Sequence, residues 1–408
     1  MNASIQATRE RFRALMPVTR KWAYFDHAAV SPMPLPVREA LATWLDEAGG
    51  DGAPAGIGRA KRVQETRRTP AALGGVDPAG NVFTPHTTGG ISLVARGLPW
   101  RNGDNVVTLD DEFPANAYPW MQLADLGVET RFVPTDLGRV DPAAVAAACD
   151  DRTRVVSVSW IAYASGCRRD LAPFAEIAAA RGAWFVVDAI QGVGAFPFDA
   201  RAVPIDLVAV NGQKWQMAPE GAAFAAIRRE RLAELDPGRV GIGWNSMTDP
   251  FDFLRREIRL RDDPARFETA TRNTSGLIAL GASQAMLLEL GIDDIAAAVL
   301  DLTDEACSRL VAAGANILSP RDGDRRSGIV LFELPGADAD AVRTHCLRHG
   351  VVLASRGGRL LISPHGRGGG VGKRPAGDQP PGRPGPPAVG ARDLSPLPAR
   401  TLFEEPNL

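Results

Sequence analysis

The chain has 408 residues, 45% of them hydrophobic and 23% charged, with a formal net charge of −2. This composition describes a soluble globular protein of two or three domains, and the near balance of charge removes the electrostatic case for a nucleic-acid or acidic-membrane partner. No apolar run approaches the roughly 20 residues of a membrane span, the N-terminus lacks a signal-peptide core, and the scattered cysteines and histidines form no metal pattern, so a cytoplasmic protein without a metal is expected.

In chain order, an N-terminal arm is expected over residues 1–25. A large domain is expected over residues 26–275, and between about residues 80 and 230 short apolar runs alternate with longer amphipathic stretches. The segment His86-Thr87-Thr88-Gly89-Gly90-Ile91-Ser92 opens an apolar helical pattern. Strands are predicted at Asn105–Leu109, Thr130–Val133, Arg154–Ser159, Ala183–Val187, Asp206–Val210 and Ala222–Ile227, with helices at Asp141–Ala148 and Leu171–Arg181. Several of these strands are continuously apolar, as strands covered on both faces are. The rhythm predicts an α/β fold with a mostly parallel sheet under helices.

Ser275–Leu290 reads as one long connector helix. The rest of 276–365 reads as a small α+β domain: strand Gly328–Leu334, helix Ala337–His349 and strands Val351–Ser355 and Leu360–Ser363. Residues 366–408 carry 9 Gly and 9 Pro in 43 positions and are predicted to be disordered, because so little apolar surface cannot offset the entropy of ordering. Two origins stay open for this segment, a natural tail or a slip of the reading frame near codon 366.

The chemistry concentrates at two strand ends. Trp184–Val187 ends in Asp188, and Leu207–Val210 ends in Asn211-Gly212-Gln213-Lys214, the lysine lying 26 residues beyond the aspartate. Either alone is an ordinary turn residue. Together on the C-terminal edge of a parallel sheet, where ligands bind in such folds, they match what pyridoxal phosphate (PLP) requires: an amine for its aldehyde and a carboxylate for its ring nitrogen. Only 4 of the 46 basic residues are lysine, so a lysine in an apolar region invites a chemical role. Thr88 and Gly89, at a helix start, suit the phosphate, and Phe113, just past a strand, suits the ring face. The dinucleotide fingerprint is incomplete at Gly192-Val193-Gly194, and no nucleoside-triphosphate phosphate loop occurs.

These residues resemble the class V aminotransferases, a superfamily that includes cysteine desulfurases and isopenicillin N epimerase-like proteins. The resemblance runs from about Tyr24 to His365. It rests on the order of Tyr24-Phe25-Asp26-His27-Ala28-Ala29, Thr87-Thr88, Glu112-Phe113 through Pro119-Trp120, Val187-Asp188-Ala189-Ile190-Gln191, Asn211-Gly212-Gln213-Lys214 and Phe267-Glu268-Thr269-Ala270-Thr271. It implies the PLP-dependent transferase fold (fold type I), with a large PLP domain and a small C-terminal domain.

The resemblance also implies roles. Lys214 becomes the Schiff-base lysine, Asp188 the partner of the pyridine nitrogen and Gln191 that of the phenolic oxygen. Thr88 and Gly89, with Asn211 and Gln213, hold the phosphate. Phe113 takes the stacking position. Thr271 reaches the phosphate of a neighbouring subunit, which implies a homodimer with shared active sites. For an amino-acid substrate, Arg356, Arg359 and His27 are the candidate contacts, since the family's carboxylate-binding arginine falls at Leu361.

The loop Ala354-Ser355-Arg356-Gly357-Gly358-Arg359 lacks the nucleophilic cysteine of the desulfurases. The expectation is therefore an aminotransferase, epimerase or C–S lyase rather than a thiol-dependent cysteine desulfurase. Phe113 and residues 160–166 lean toward the epimerase-like branch. The alternative is a PLP-binding relative impaired by its altered C-terminus.

Overall fold

The structure is a computed structural model that describes residues 3–366; the Gly/Pro-rich segment expected to be disordered lies, beyond residue 366, outside the described residues. Among the described residues, thirteen strands follow in chain order: β1 (Ala23–Tyr24), β2 (Asn81–Thr84), β3 (Asn105–Leu109), β4 (Glu129–Val133), β5 (Thr153–Ser159), β6 (Trp184–Asp188), β7 (Leu207–Asn211), β8 (Ala223–Ile227), β9 (Asn316–Ile317), β10 (Val330–Glu333), β11 (Val351–Val352), β12 (Ala354–Arg356) and β13 (Arg359–Ile362). The longer helices are α1 (Ala3–Ala14), α2 (Leu35–Gly50), α3 (Gly56–Thr66), α4 (Arg68–Gly74), α5 (Thr87–Gly97), α6 (Pro142–Ala148), α7 (Ala172–Ala180), α8 (Thr274–Leu290), α9 (Ile292–Ala312) and α10 (Ala339–Arg348).

Seven strands form the main sheet in the order β2-β8-β7-β6-β5-β3-β4. Every one of β2, β3 and β5 to β8 is buried along its whole length, apart from the half-buried Arg154. Apolar side chains project from both faces into two core clusters, which accounts for continuous rather than alternating runs. All six predicted strands form, with ends shifted by at most a residue. The exception is direction: β8 runs antiparallel to both β7 and β2. The chain returns from Asn211 to Ala223 without a helix, and a parallel neighbour would require a crossover. The edge strand β2 and helices α2, α3 and α4 add to the predicted elements.

The smaller sheet has the order β12-β13-β10-β9 and encloses its own apolar cluster. The expected strand Val351–Ser355 divides in two: β11 pairs with β1, and β12 with β13. The N-terminal arm therefore closes onto the C-terminal part of the fold. Helix α1 packs on α9, where buried Arg9 reaches Asp301 at 2.7 Å. Helix α8 starts at the cap of Asn273, whose Oδ1 accepts the Gly276 N–H at 3.0 Å, and Gly291, at φ 85°, turns the chain into α9. Among the described residues, no helix is long and apolar enough to cross a membrane.

Candidate active site

Parallel strands β5, β6 and β7 deliver their last residues to one edge. Ser159 pairs with Asp188 across β5 and β6, and Asp188 pairs with Ala209 across β6 and β7. After Asn211 the chain turns tightly at Gly212, where a Cβ would lie 2.8 Å from the Ala222 carbonyl oxygen; only glycine fits. That turn brings Lys214 back toward Asp188. Both side chains are buried, at 8% and 2% exposure, and both line a cavity of about 380 Å³, within the range of small-molecule sites.

Burial governs the electrostatics of the pair. Removal from water pushes the Asp188 carboxyl well above the usual carboxylate range, opposed by the Ile190 N–H donated to Oδ1 at 3.0 Å and by the Lys214 charge. Burial likewise holds the Lys214 ammonium below its ordinary value; Asp188 opposes the shift and Arg356 adds to it. A buried amine of weakened proton affinity is a nucleophile and a base near neutral pH. Its Nζ lies 5.3 Å from the Phe113 ring centroid. Phe113 meets Tyr163 edge-on at 5.2 Å, and the Arg356 guanidinium donates to the Tyr163 carbonyl while lying 5.4 Å from the Tyr163 ring centroid.

Eight of the residues singled out from sequence line this cavity: Lys214 and Asp188 on the sheet edge, Gln191, Asn211 and Gln213 beside them, and Thr88, Phe113 and Arg356 around the mouth. Four do not. The Gly89 N–H is taken by His86 Nδ1 at 2.9 Å, the cap of α5, which leaves Thr87 and Thr88 as the helix-start residues on the cavity. His27 is buried beside the site and does not line the cavity, its Nδ1 against the Ser363 carbonyl at 3.1 Å and its ring near Trp215 and His365. Arg359 is exposed at the tip of the β12–β13 hairpin, directly opposite Arg356, and does not line the cavity. Thr271 is exposed, outside the cavity of its own chain. Leu361 is fully buried in β13.

Sequence reasoning missed Thr87, Ser159 and Tyr163, which also line the cavity. Ser159 had a signal, as the last residue of a strand reaching the same edge. Tyr163 had a weaker one, an aromatic four residues further on.

These residues fit PLP. Thr87 Oγ1 and Gln213 Oε1 are buried without a hydrogen-bond partner, and unpaired buried polar atoms lining a cavity mark a polar ligand. The Gln191 amide is fixed: Oε1 accepts from the Trp215 indole at 2.9 Å and Nε2 donates to the Ala28 carbonyl at 3.1 Å, leaving one N–H for a ligand. The N-terminus of α5 offers its dipole to a phosphate.

The chain matches the family model described as aminotransferase class V over residues 23–365. It is 35% identical to a probable cysteine desulfurase of Methanothermobacter thermautotrophicus over 301 residues, 72% of this chain and 74% of that one. The apo structure of a cysteine desulfurase from Thermococcus onnurineus superposes with a TM-score of 0.78 at 26% identity, covering 87% of this chain and 93% of that one. A C-DES variant with glycine linked to its PLP cofactor gives a TM-score of 0.81 at 21% identity, covering 87% and 94%, a likeness of fold.

These relatives overturn the expectation that set cysteine desulfurases aside, and none of the three carries the epimerase name. The expectation rested on one loop without a cysteine. A match of this length, on a fold shared with those structures, places the chain in the aminotransferase class V family and makes it an enzyme whose cofactor is pyridoxal 5'-phosphate.

Proposed function

We propose that the enzyme cleaves the Cβ–S bond of cysteine or a cysteine-derived amino acid. The observation that carries this reading is Lys214 beside Asp188 in a cavity with the Arg356 guanidinium at its wall, in a chain related to proteins named cysteine desulfurases. Bound there, PLP supplies an electron sink for the negative charge left at Cα. Thr87, Thr88, Asn211 and Gln213 would hold its phosphate, Asp188 would meet its ring nitrogen, Gln191 would donate to its phenolic oxygen and Phe113 would cover the ring.

Arg356 takes the substrate carboxylate, for which a guanidinium fork is suited. Lys214 Nζ, its proton affinity weakened by burial, takes the proton from Cα; the Cβ–S bond then breaks either with its electron pair on sulfur, giving pyruvate and ammonia after water adds, or by attack of an added thiol on the sulfur, with Cβ taking a proton to give alanine. We place the enzyme in the cytoplasm as a homodimer completed by Thr271; its four cysteines are free, as in reducing compartments.

Purified protein supplied with PLP, L-cysteine and dithiothreitol is expected to release sulfide. Alanine as co-product marks desulfuration, and pyruvate with ammonia marks β-elimination. No sulfide from cysteine or cystine, with PLP bound, overturns the reading.

A further inference from the structure

Behind the cavity wall lies a second buried carboxylate. Glu112 follows β3, and its side chain is 1% exposed. The Ser159 N–H donates to Oε1 at 2.6 Å, Asn116 Nδ2 donates to Oε2 at 2.9 Å, and the Ser159 hydroxyl also donates to Oε2. Ser159 is the strand partner of Asp188, and the next N–H, that of Trp160, donates to the Asp188 carbonyl at 2.9 Å. Glu112 thus sits one strand away from the aspartate of the site and is bonded to its neighbour.

The compensation of this charge is incomplete. Arg169 Nη1 lies 3.8 Å from Glu112 Oε1, but the same guanidinium grips both oxygens of Asp111, at 2.7 and 2.6 Å. Its remaining donors go to the Ser159 and Gly138 carbonyls at 2.9 and 3.1 Å. One cation therefore serves two carboxylates. Burial pushes the Glu112 carboxyl above its ordinary range, and the Arg169 charge and the three converging donors oppose that shift in favour of the ionised form. A loop bracket alone would need no charge, and a buried charge is costly to keep.

We propose that Glu112 is a positioning residue whose negative charge, held beside the Ser159–Asp188 strand pair, retains the proton on the cofactor's ring nitrogen through Asp188. The inference rests on the assignment of Asp188 to that nitrogen. The proton is shared between the nitrogen and an Asp188 oxygen; Glu112 never exchanges it but raises its affinity, because a negative charge at short range in a dry interior favours proton retention. Arg169 and Asp188 are the charged groups that interact with Glu112, Asp111 is held by Arg169, and Lys214 acts on Asp188 from the cavity. Arg169 moderates the effect and Asp111 takes up most of Arg169.

The test is nuclear magnetic resonance of PLP isotope-labelled at its ring nitrogen, bound to wild type and to Glu112→Gln, titrated with pH. The wild type is expected to hold the proton at neutral pH, and Glu112→Gln to lose it at a midpoint lower by about one pH unit or more. A protonated wild type with an unchanged midpoint in Glu112→Gln overturns the proposal and leaves Glu112 as a bracket for the Phe113 loop. An unprotonated wild-type nitrogen overturns the Asp188 assignment instead. Should Glu112→Gln not fold, Arg169→Gln tests the same field with the opposite sign: the midpoint is expected to rise, and a fall or no change overturns the proposal.

Discussion

Lys214 acts through its surroundings. In water its amine is protonated and inert; between Asp188, Phe113 and Arg356 it is buried and its proton affinity falls. Lys214→Ala is expected to abolish the visible absorbance of the bound cofactor and to lower kcat on the order of 10³-fold. A retained absorbance band would remove the lysine from its role. Arg356 makes a separable prediction. Its guanidinium, already braced on the Tyr163 carbonyl, is expected to bind the substrate carboxylate in both ground and transition states, so Arg356→Lys raises KM by about tenfold or more with kcat little changed. An unaltered KM would assign the carboxylate to another residue. Lys214 was legible in the sequence because it is rare and follows a buried strand, and Asp188 because it ends the neighbouring one. Thr87 and Tyr163 were not, since their positions depend on where a helix start and a loop come to rest.

At the scale of elements, the site depends on how closely α5 lies on the sheet. A Cβ on Gly90 would sit 3.0 Å from Ala209 Cβ and 3.1 Å from Ala225 Cβ. The helix therefore seats on β7 and β8 through small residues, which brings Thr87 and Thr88 to the sheet edge. Gly90→Val is expected to lift the helix, costing about 1–3 kcal/mol of stability and weakening PLP binding together with it. Urea unfolding and a cofactor titration measure the two effects, and full affinity in a destabilised variant would uncouple the helix from the site. The run Thr88-Gly89-Gly90 announced an anion-binding helix start, but the close seat that makes Gly90 necessary belongs to the packing of three elements.

Across the whole molecule, the arm, the Lys214 loop and the end of the small domain meet at a buried aromatic cluster. Phe12 of α1 stacks on His365 at 4.8 Å, and His365 Nε2 contacts the Trp215 carbonyl at 2.8 Å with His27 alongside. Burial lowers His27 to about 3 and His365 to about 4, so both are neutral in the folded protein. An unfolded histidine takes a proton below about pH 6.5. The unfolded chain then binds more protons than the folded one, so this contribution is complete above about pH 6.5 and is lost as pH falls toward the folded values. Asp26, raised by burial to about 6, acts with the opposite sign, so the comparison must be between variants. His365→Phe is expected to lose less stability than wild type between about pH 7 and about pH 4.5, by roughly 2 kcal/mol; parallel urea-midpoint profiles would refute it. A second test at this scale concerns the dimer. A mixture of Lys214→Ala and Thr271→Ala subunits is expected to exceed the mean activity of the two, because one site per mixed pair is then intact; simple averaging would confine Thr271 to its own chain.

By itself the sequence determined the α/β class, the C-terminal strand edge and the lysine–aspartate pair, because burial on both faces of a strand leaves a continuous apolar run whose end marks the edge. Only the tertiary structure decided which arginine enters the cavity, that His27 packs beside it, that β8 turns back and that Glu112 stands behind Asp188. Those outcomes depend on contacts between residues far apart in the chain, where loop length and the close seating of helices on the sheet select among side chains that local pattern leaves equivalent.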